Sequence, residues 1–173
     1  MSETRTNSPS PMVTWPLLRN MIRRNLASNT FGWVRKTAEG APKPHQGWDL
    51  QATVGTPVYA VGSGKVVFVR NHGAYGLQLC HSFSFRNQVY YAFYAHLLAV
   101  RVAQGAPVTF DQEIALTGKS GNASNLPASE DHLHFEIRHH PNLGLGLVGR
   151  ISPLTIFRSC PLHHMAAGDQ VIQ

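Results

Sequence analysis

Six short runs along this chain carry the apolar spacing of strands: residues 57–60, 65–70, 77–83, 88–96, 113–117 and 132–138. Val, Ile, Phe and Tyr dominate them, and Gly, Pro and Asn break them apart. Gly62-Ser63-Gly64, Gly73-Ala74-Tyr75-Gly76 and Gly118-Lys119-Ser120-Gly121 read as tight turns. No strand–helix–strand alternation appears, so the pattern predicts a mainly β protein built on antiparallel sheet. Helical spacing occurs over residues 15–27, where Leu18, Ile22 and Leu26 recur every fourth position. A short N-terminal helix is expected there, with its apolar stripe docked on the remainder. Residues 1–12 are rich in Ser, Thr and Pro and read as a tail.

Composition narrows the class. A chain of 173 residues suffices for one domain with its own core. With 43% hydrophobic and 14% charged residues it is neither a disordered chain nor a coiled coil. No apolar run approaches the ~20 residues of a membrane span. The formal net charge is +6, but the cations are scattered and form no basic stripe interleaved with aromatics. They read as solvated surface, with attraction to a polyanionic wall as the second reading, and no nucleic-acid partner is expected. Cys80 and Cys160 lie far apart and make no C-x-x-C, which excludes a zinc knuckle or redox pair. Cys80 reads as a small buried residue, and a disulfide between the two is left open.

The chemistry lies in the histidines. His45 and Asp49 sit in His45-Gln46-Gly47-Trp48-Asp49, behind Pro42 and Pro44, which places them on a loop. His96 closes Tyr94-Ala95-His96, and His132 and His134 open His132-Leu133-His134-Phe135-Glu136. Strand alternation puts His132, His134, Glu136 and Arg138 on one face of that run, with Leu133, Phe135 and Ile137 on the core face. Three of the five site residues can give one Zn²⁺ an imidazole or carboxylate, leaving two imidazoles for proton handling. Glu136 reads either as a residue orienting a ligand imidazole or as a ladder partner on the sheet surface. His72, His81, His139, His140, His163 and His164 are expected to stand apart from the metal, with His81 a half-buried neutral imidazole.

These stretches resemble the lysostaphin/LytM-type zinc endopeptidases of peptidoglycan. The likeness runs in order through Phe31-Gly32-Trp33-Val34-Arg35, His45 to Leu50, Gly55 to Val67, Tyr94 to Leu97, Gln112 to Gly118, Ser120-Gly121-Asn122 and His132 to Ile137, and covers residues 31–155. It implies a small antiparallel β architecture of the duplicated-hybrid type with a groove along the sheet. It implies one Zn²⁺ per chain on His45, Asp49 and His134, with His96 and His132 as catalytic imidazoles. It implies cleavage of stem or cross-bridge peptides of the bacterial wall. Non-catalytic wall-binding relatives that have lost ligands are the alternative, and the intact set of five residues weighs against them.

The approach to the histidine strand departs from the family pattern. A longer loop, residues 122–131, carries Glu130 and Asp131 beside His132. One acid is expected to tune His132 or shape a groove wall, unless both are merely solvated. Residues 71–76 and 83–88 are expected as further walls. The organisation read is a tail and helix over 1–28, a metallopeptidase domain over 29–160 and a C-terminal tail over 161–173. No secretory signal is recognisable, because Arg19, Asn20, Arg23 and Arg24 interrupt the apolar stretch. Action in the periplasm or wall after signal-independent export is therefore expected. The forms considered are a phage lysis enzyme and an antibacterial effector with a cognate immunity protein. D-Ala–diaminopimelate cross-links are preferred over glycine bridges as the scissile bond.

Overall fold

One of the two longest ladders is a hairpin closed by two residues. Arg86 and Asn87 both take positive φ (49° and 62°), the turn that matches the right-handed twist of the strands on either side. The computed structural model describes residues 12–162. The expectations for residues 1–11, and for His163 and His164, lie outside the described residues.

The strands, in chain order, are β1 (Gly32–Lys36), β2 (Pro42–His45), β3 (Trp48–Gln51), β4 (Pro57–Tyr59), β5 (Gly64–Asn71) and β6 (Leu77–Phe85). They continue with β7 (Gln88–Ala95), β8 (Leu97–Val100), β9 (Pro107–Val108), β10 (Glu113–Thr117), β11 (His132–Arg138) and β12 (Arg150–Ile151). A single α-helical turn, α1 (Leu154–Phe157), follows. Every ladder among them is antiparallel. A seven-stranded sheet runs β12-β11-β7-β6-β5-β9, with β3 also paired to β11. Beside it stand a three-stranded sheet, β4-β10-β8, and the β1-β2 hairpin. The mainly β, antiparallel reading holds.

The core gathers Trp48, Leu50, Phe83, Tyr94, Leu97, Ile114, Leu133, Phe135 and Ile137, all essentially inaccessible. Leu133, Phe135 and Ile137 supply the core face of β11, as alternation required. The opposite face is also covered, since all seven residues of β11 are buried. Its polar side chains therefore need partners inside the protein.

The expected N-terminal helix is absent. Residues 15–27 run through bends into two 3-10 turns, Arg23–Asn25 and Ala27–Asn29. Leu18 and Leu26 are exposed, and of that stripe only Ile22 is buried. The segment is held by tertiary contacts that override helical spacing. Trp15 stacks on Phe157 and Trp48, with ring centroids 4.4 and 5.9 Å away. Tyr59 N donates to Pro16 O, and Gln51 N to Met21 O. This strap lays Arg23 beside β3.

Candidate metal centre

β11 pairs with β3 so that His134 stands directly opposite Asp49. β2 ends at His45, and the corner Gln46-Gly47 returns the chain into β3. The first two site residues thus sit at strand ends, not on the loop expected from Pro42 and Pro44. Gly47 is needed at the corner because a Cβ there would overlap the Phe135 carbonyl oxygen. β7 lies on the other side of β11 and delivers His96, the residue after its end. His96 takes φ +59°, a left-handed conformation that side chains other than glycine adopt at a cost.

All five predicted residues meet, each about 5% exposed or less. Single donor atoms of His45, Asp49 and His134 lie within 4.8 Å of one another. His45 Nε2 is 3.1 Å and His134 Nδ1 2.9 Å from Asp49 Oδ1, and the two nitrogens are 3.3 Å apart. His132 Nε2 is 3.8 Å from the same oxygen. The His96 and His132 rings meet edge to face, 5.0 Å between centroids.

Backbone carbonyls and a carboxylate fix the tautomers. Carbonyl oxygens only accept, so His45 Nδ1 donates to Thr30 O (2.7 Å), His96 Nδ1 to Ser120 O (2.9 Å) and His132 Nδ1 to Glu130 O (2.8 Å). Each of these rings keeps a bare Nε2. His134 is reversed: Nε2 donates to Glu136 Oε1 at 3.0 Å, which leaves Nδ1 toward Asp49. Two bare nitrogens and a carboxylate oxygen facing one another repel unless a proton or a cation sits among them. An N,N,O set of this kind, with each imidazole oriented by a hydrogen bond behind it, suits Zn²⁺. The residues fit the metal.

The electrostatics agree. Burial works to raise the Asp49 carboxyl, yet His45, His134 and His132 outweigh it and hold Asp49 well below the usual carboxylate range. Burial works to lower His134, and Asp49 with Glu136 outweighs it and raises the imidazole. Burial pushes His45 and His132 down, and takes His96 to about 4.

Arg23, Asn29 and Tyr75 contribute without having been read from sequence, whereas Glu136 orients the His134 imidazole, one of its two readings. Asp49 Oδ2 accepts from Arg35 Nη2 at 2.6 Å and faces Arg23 Nη2 at 3.3 Å, which leaves Oδ1 for a metal. Asn29 Oδ1 accepts from both guanidinium groups. Glu136 is fully buried and accepts from Arg138 Nε and Arg150 Nε, each at 2.6 Å, as well as from His134. Tyr75 lies with its hydroxyl between Gln46 and Glu136, 2.8 Å from Glu136 Oε1. The sheet-surface alternative for Glu136 is thereby excluded, as is solvation for Arg138 and Arg150, which are 3% and 6% exposed. Alternation along β11 was the signal for Glu136 and Arg138. Arg23 had none, because its contact spans more than twenty residues.

A groove of about 590 Å³ exposes the cluster. Lys43 to Gln46, Ala74, Tyr75, Asn122, Leu126, Leu145 and Gly146 form its walls. Residues from 71–76 and 122–131 contribute as expected. Residues 83–88 do not line it, since they turn the β6–β7 hairpin away from the metal end of β7. Glu130 meets His132 through its backbone oxygen, while its carboxylate pairs with Arg24 Nη1 at 2.6 Å. The other histidines among the described residues stand apart: His72 and His140 are exposed, His139 packs on Tyr90, and His81 is fully buried rather than half-buried. Cys80 and Cys160 are free thiols, the first of them buried. No helix among the described residues is long and apolar enough to cross a membrane.

Comparison with known proteins places this geometry. The chain is 39% identical over 98 residues to Peptidoglycan DD-endopeptidase ShyB of Vibrio cholerae, covering 57% of this chain and 21% of that protein. It thus spans about a fifth of that relative's length. A zinc containing peptidase from Vibrio cholerae superposes with TM-score 0.61 at 31% identity, over 79% of this chain and 40% of that one. The catalytic domain of the antimicrobial peptidase lysostaphin from Staphylococcus simulans gives TM-score 0.56 at 26% identity, over 75% and 90%. The family model described as Peptidase family M23 matches residues 43–143, more than half of the sequence, and the matched span includes all five gathered side chains. The chain belongs to Peptidase family M23.

Proposed function

We propose that this chain is a zinc-dependent endopeptidase that hydrolyses peptide cross-links of bacterial peptidoglycan, with residues 29–160 as its catalytic unit. The observation that carries the reading is the convergence of His45 Nε2, Asp49 Oδ1 and His134 Nδ1 beside two further imidazoles with bare Nε2 atoms. Zinc held by those three atoms supplies the Lewis acidity that acidifies a water molecule and polarises a carbonyl.

The chain's own groups then move the proton. His132 Nε2 takes it from the attacking water and returns it to the leaving amine. Glu130 O keeps the His132 ring in the tautomer that can accept at Nε2. His96, with Nδ1–H committed to Ser120 O, becomes a donor to the developing oxyanion only once its Nε2 is protonated. The relatives named as peptidoglycan enzymes support the substrate, and action at the wall follows from it.

Digestion of purified wall by the zinc-loaded protein, followed by mass spectrometry of the released peptides, tests the reading. His45→Ala and Asp49→Ala are expected to lose zinc and cleavage together. His132→Ala keeps zinc and loses turnover, and undiminished cleavage by that variant overturns its role. Use as an antibacterial effector with an immunity partner is a narrower proposal, resting on the wall activity alone. Toxicity confined to periplasmic expression, and relieved by a co-purifying binding protein, is its expected outcome.

A further inference from the structure

Arg35 on β1 and Lys43 on β2 are direct partners in the hairpin ladder. Side chains directly opposite one another in an antiparallel pair project from the same face, and like charges in that position destabilise the pair. Both residues line the groove that holds the metal cluster. Arg35 spends Nε on Ser28 O (2.8 Å) and Nη2 on Asn29 Oδ1 and Asp49 Oδ2, which leaves Nη1 uncommitted among the described residues. Lys43 is exposed and has no ion pair among the described residues. Among the groove-lining residues Arg23, Arg35 and Lys43 are cationic, and Asp49 is the one carboxylate. Asp49 is already claimed by the two guanidinium groups on one side and the imidazoles on the other. Arg35 is thus answered by Asp49, while Lys43 has no counter-charge among the described residues.

We propose that Arg35 Nη1 and Lys43 Nζ form a carboxylate-binding subsite on the groove rim. Its preferred substrates are peptides carrying a free carboxylate next to the scissile bond, over uncharged peptides such as glycine bridges. The inference rests on the endopeptidase reading for its substrate and names the charge that reading leaves open. A planar guanidinium and an ammonium carried on facing ladder positions can take the two oxygens of one carboxylate.

The test uses the zinc-loaded protein with two synthetic cross-linked peptides that differ in one group, a free carboxylate or its carboxamide. Binding is followed by fluorescence anisotropy and cleavage by mass spectrometry. The free carboxylate is expected to bind about tenfold more tightly, as one charge-assisted contact would give. The preference should shrink in high salt. Lys43→Gln should bring the ratio close to unity while the melting temperature holds or rises, because a like-charge contact is removed. Equal binding of the two peptides by the parent protein, or an unchanged ratio in Lys43→Gln, overturns the subsite. Discrimination in binding without cleavage of either peptide leaves the subsite standing and overturns the endopeptidase reading. Equal binding with cleavage does the reverse.

Discussion

Glu136 stands two residues beyond His134 on the same face of β11 and accepts its Nε2–H at 3.0 Å, while the other carboxylate oxygen takes Arg138 and Arg150. One buried anion therefore orients the His134 ring and balances two buried cations. Glu136→Gln is expected to weaken zinc binding by roughly ten- to a hundredfold, measured by competition with a chelator. It should also cost about 3 kcal/mol of stability, read by urea unfolding, since both guanidinium groups lose their counter-charge.

Metal removal has a thermal signature. His45 Nε2, His134 Nδ1 and Asp49 Oδ1 crowd within 3.3 Å of one another and attract a cation. Zinc at a thousandfold excess over its Kd should add about 4 kcal/mol to the folded state, seen as a rise in melting temperature. Exhaustive chelation should abolish both the rise and wall cleavage, and zinc should restore both. Full activity after chelation counts against the centre.

Acid stability is set in part far from the groove. His81 is buried, donates Nδ1–H to Ser82 O and accepts the Tyr94 hydroxyl at Nε2, so it is held neutral. Burial takes its pKa from 6.5 to about 4. Between those values the unfolded chain binds the extra proton and the folded one does not, so stability falls as the pH drops. The contribution is whole above pH 6.5, and about 3 kcal/mol of it is gone by pH 4. Urea unfolding at pH 7.5 and 4.5 should show a smaller loss in His81→Phe than in the parent.

Gly47 offers a backbone test of the centre. A methyl group there would press on the Phe135 carbonyl and the Glu136 side chain. Gly47→Ala should cost about 3 kcal/mol and lower zinc affinity, because it forces β3 from β11 and with it Asp49 from His134. Isothermal titration with zinc and a melting curve measure the two effects.

Much of this architecture was legible before any coordinates. Residues 113–117 and 132–138 are strands to the residue, and alternation along β11 placed both of its histidines on the site face. β1, β2, β3, β8, β9 and β12 were not read from the pattern, although β4, shorter than the first four of these, was. β2 carries Pro42 and Pro44, which suit only an edge. The strap over residues 15–29 was misread because its anchors, Trp15 and Ile22, answer to Trp48, Phe157 and Leu50, which no local periodicity reports. Arg23, Arg35 and Arg150 were lost among surface cations for the same reason. Formal charge says nothing about which guanidinium group is folded inward.

His96 is held at φ +59° with its amide donating to Tyr75 O and its ring to Ser120 O. Thermal endurance and turnover therefore oppose each other at this one residue. His96→Gly relieves the backbone and should melt higher by the equivalent of about 1 kcal/mol, yet it removes the imidazole. A screen of this chain that selects for heat resistance alone should drift toward glycine at 96 and deliver a sturdier, silent protein.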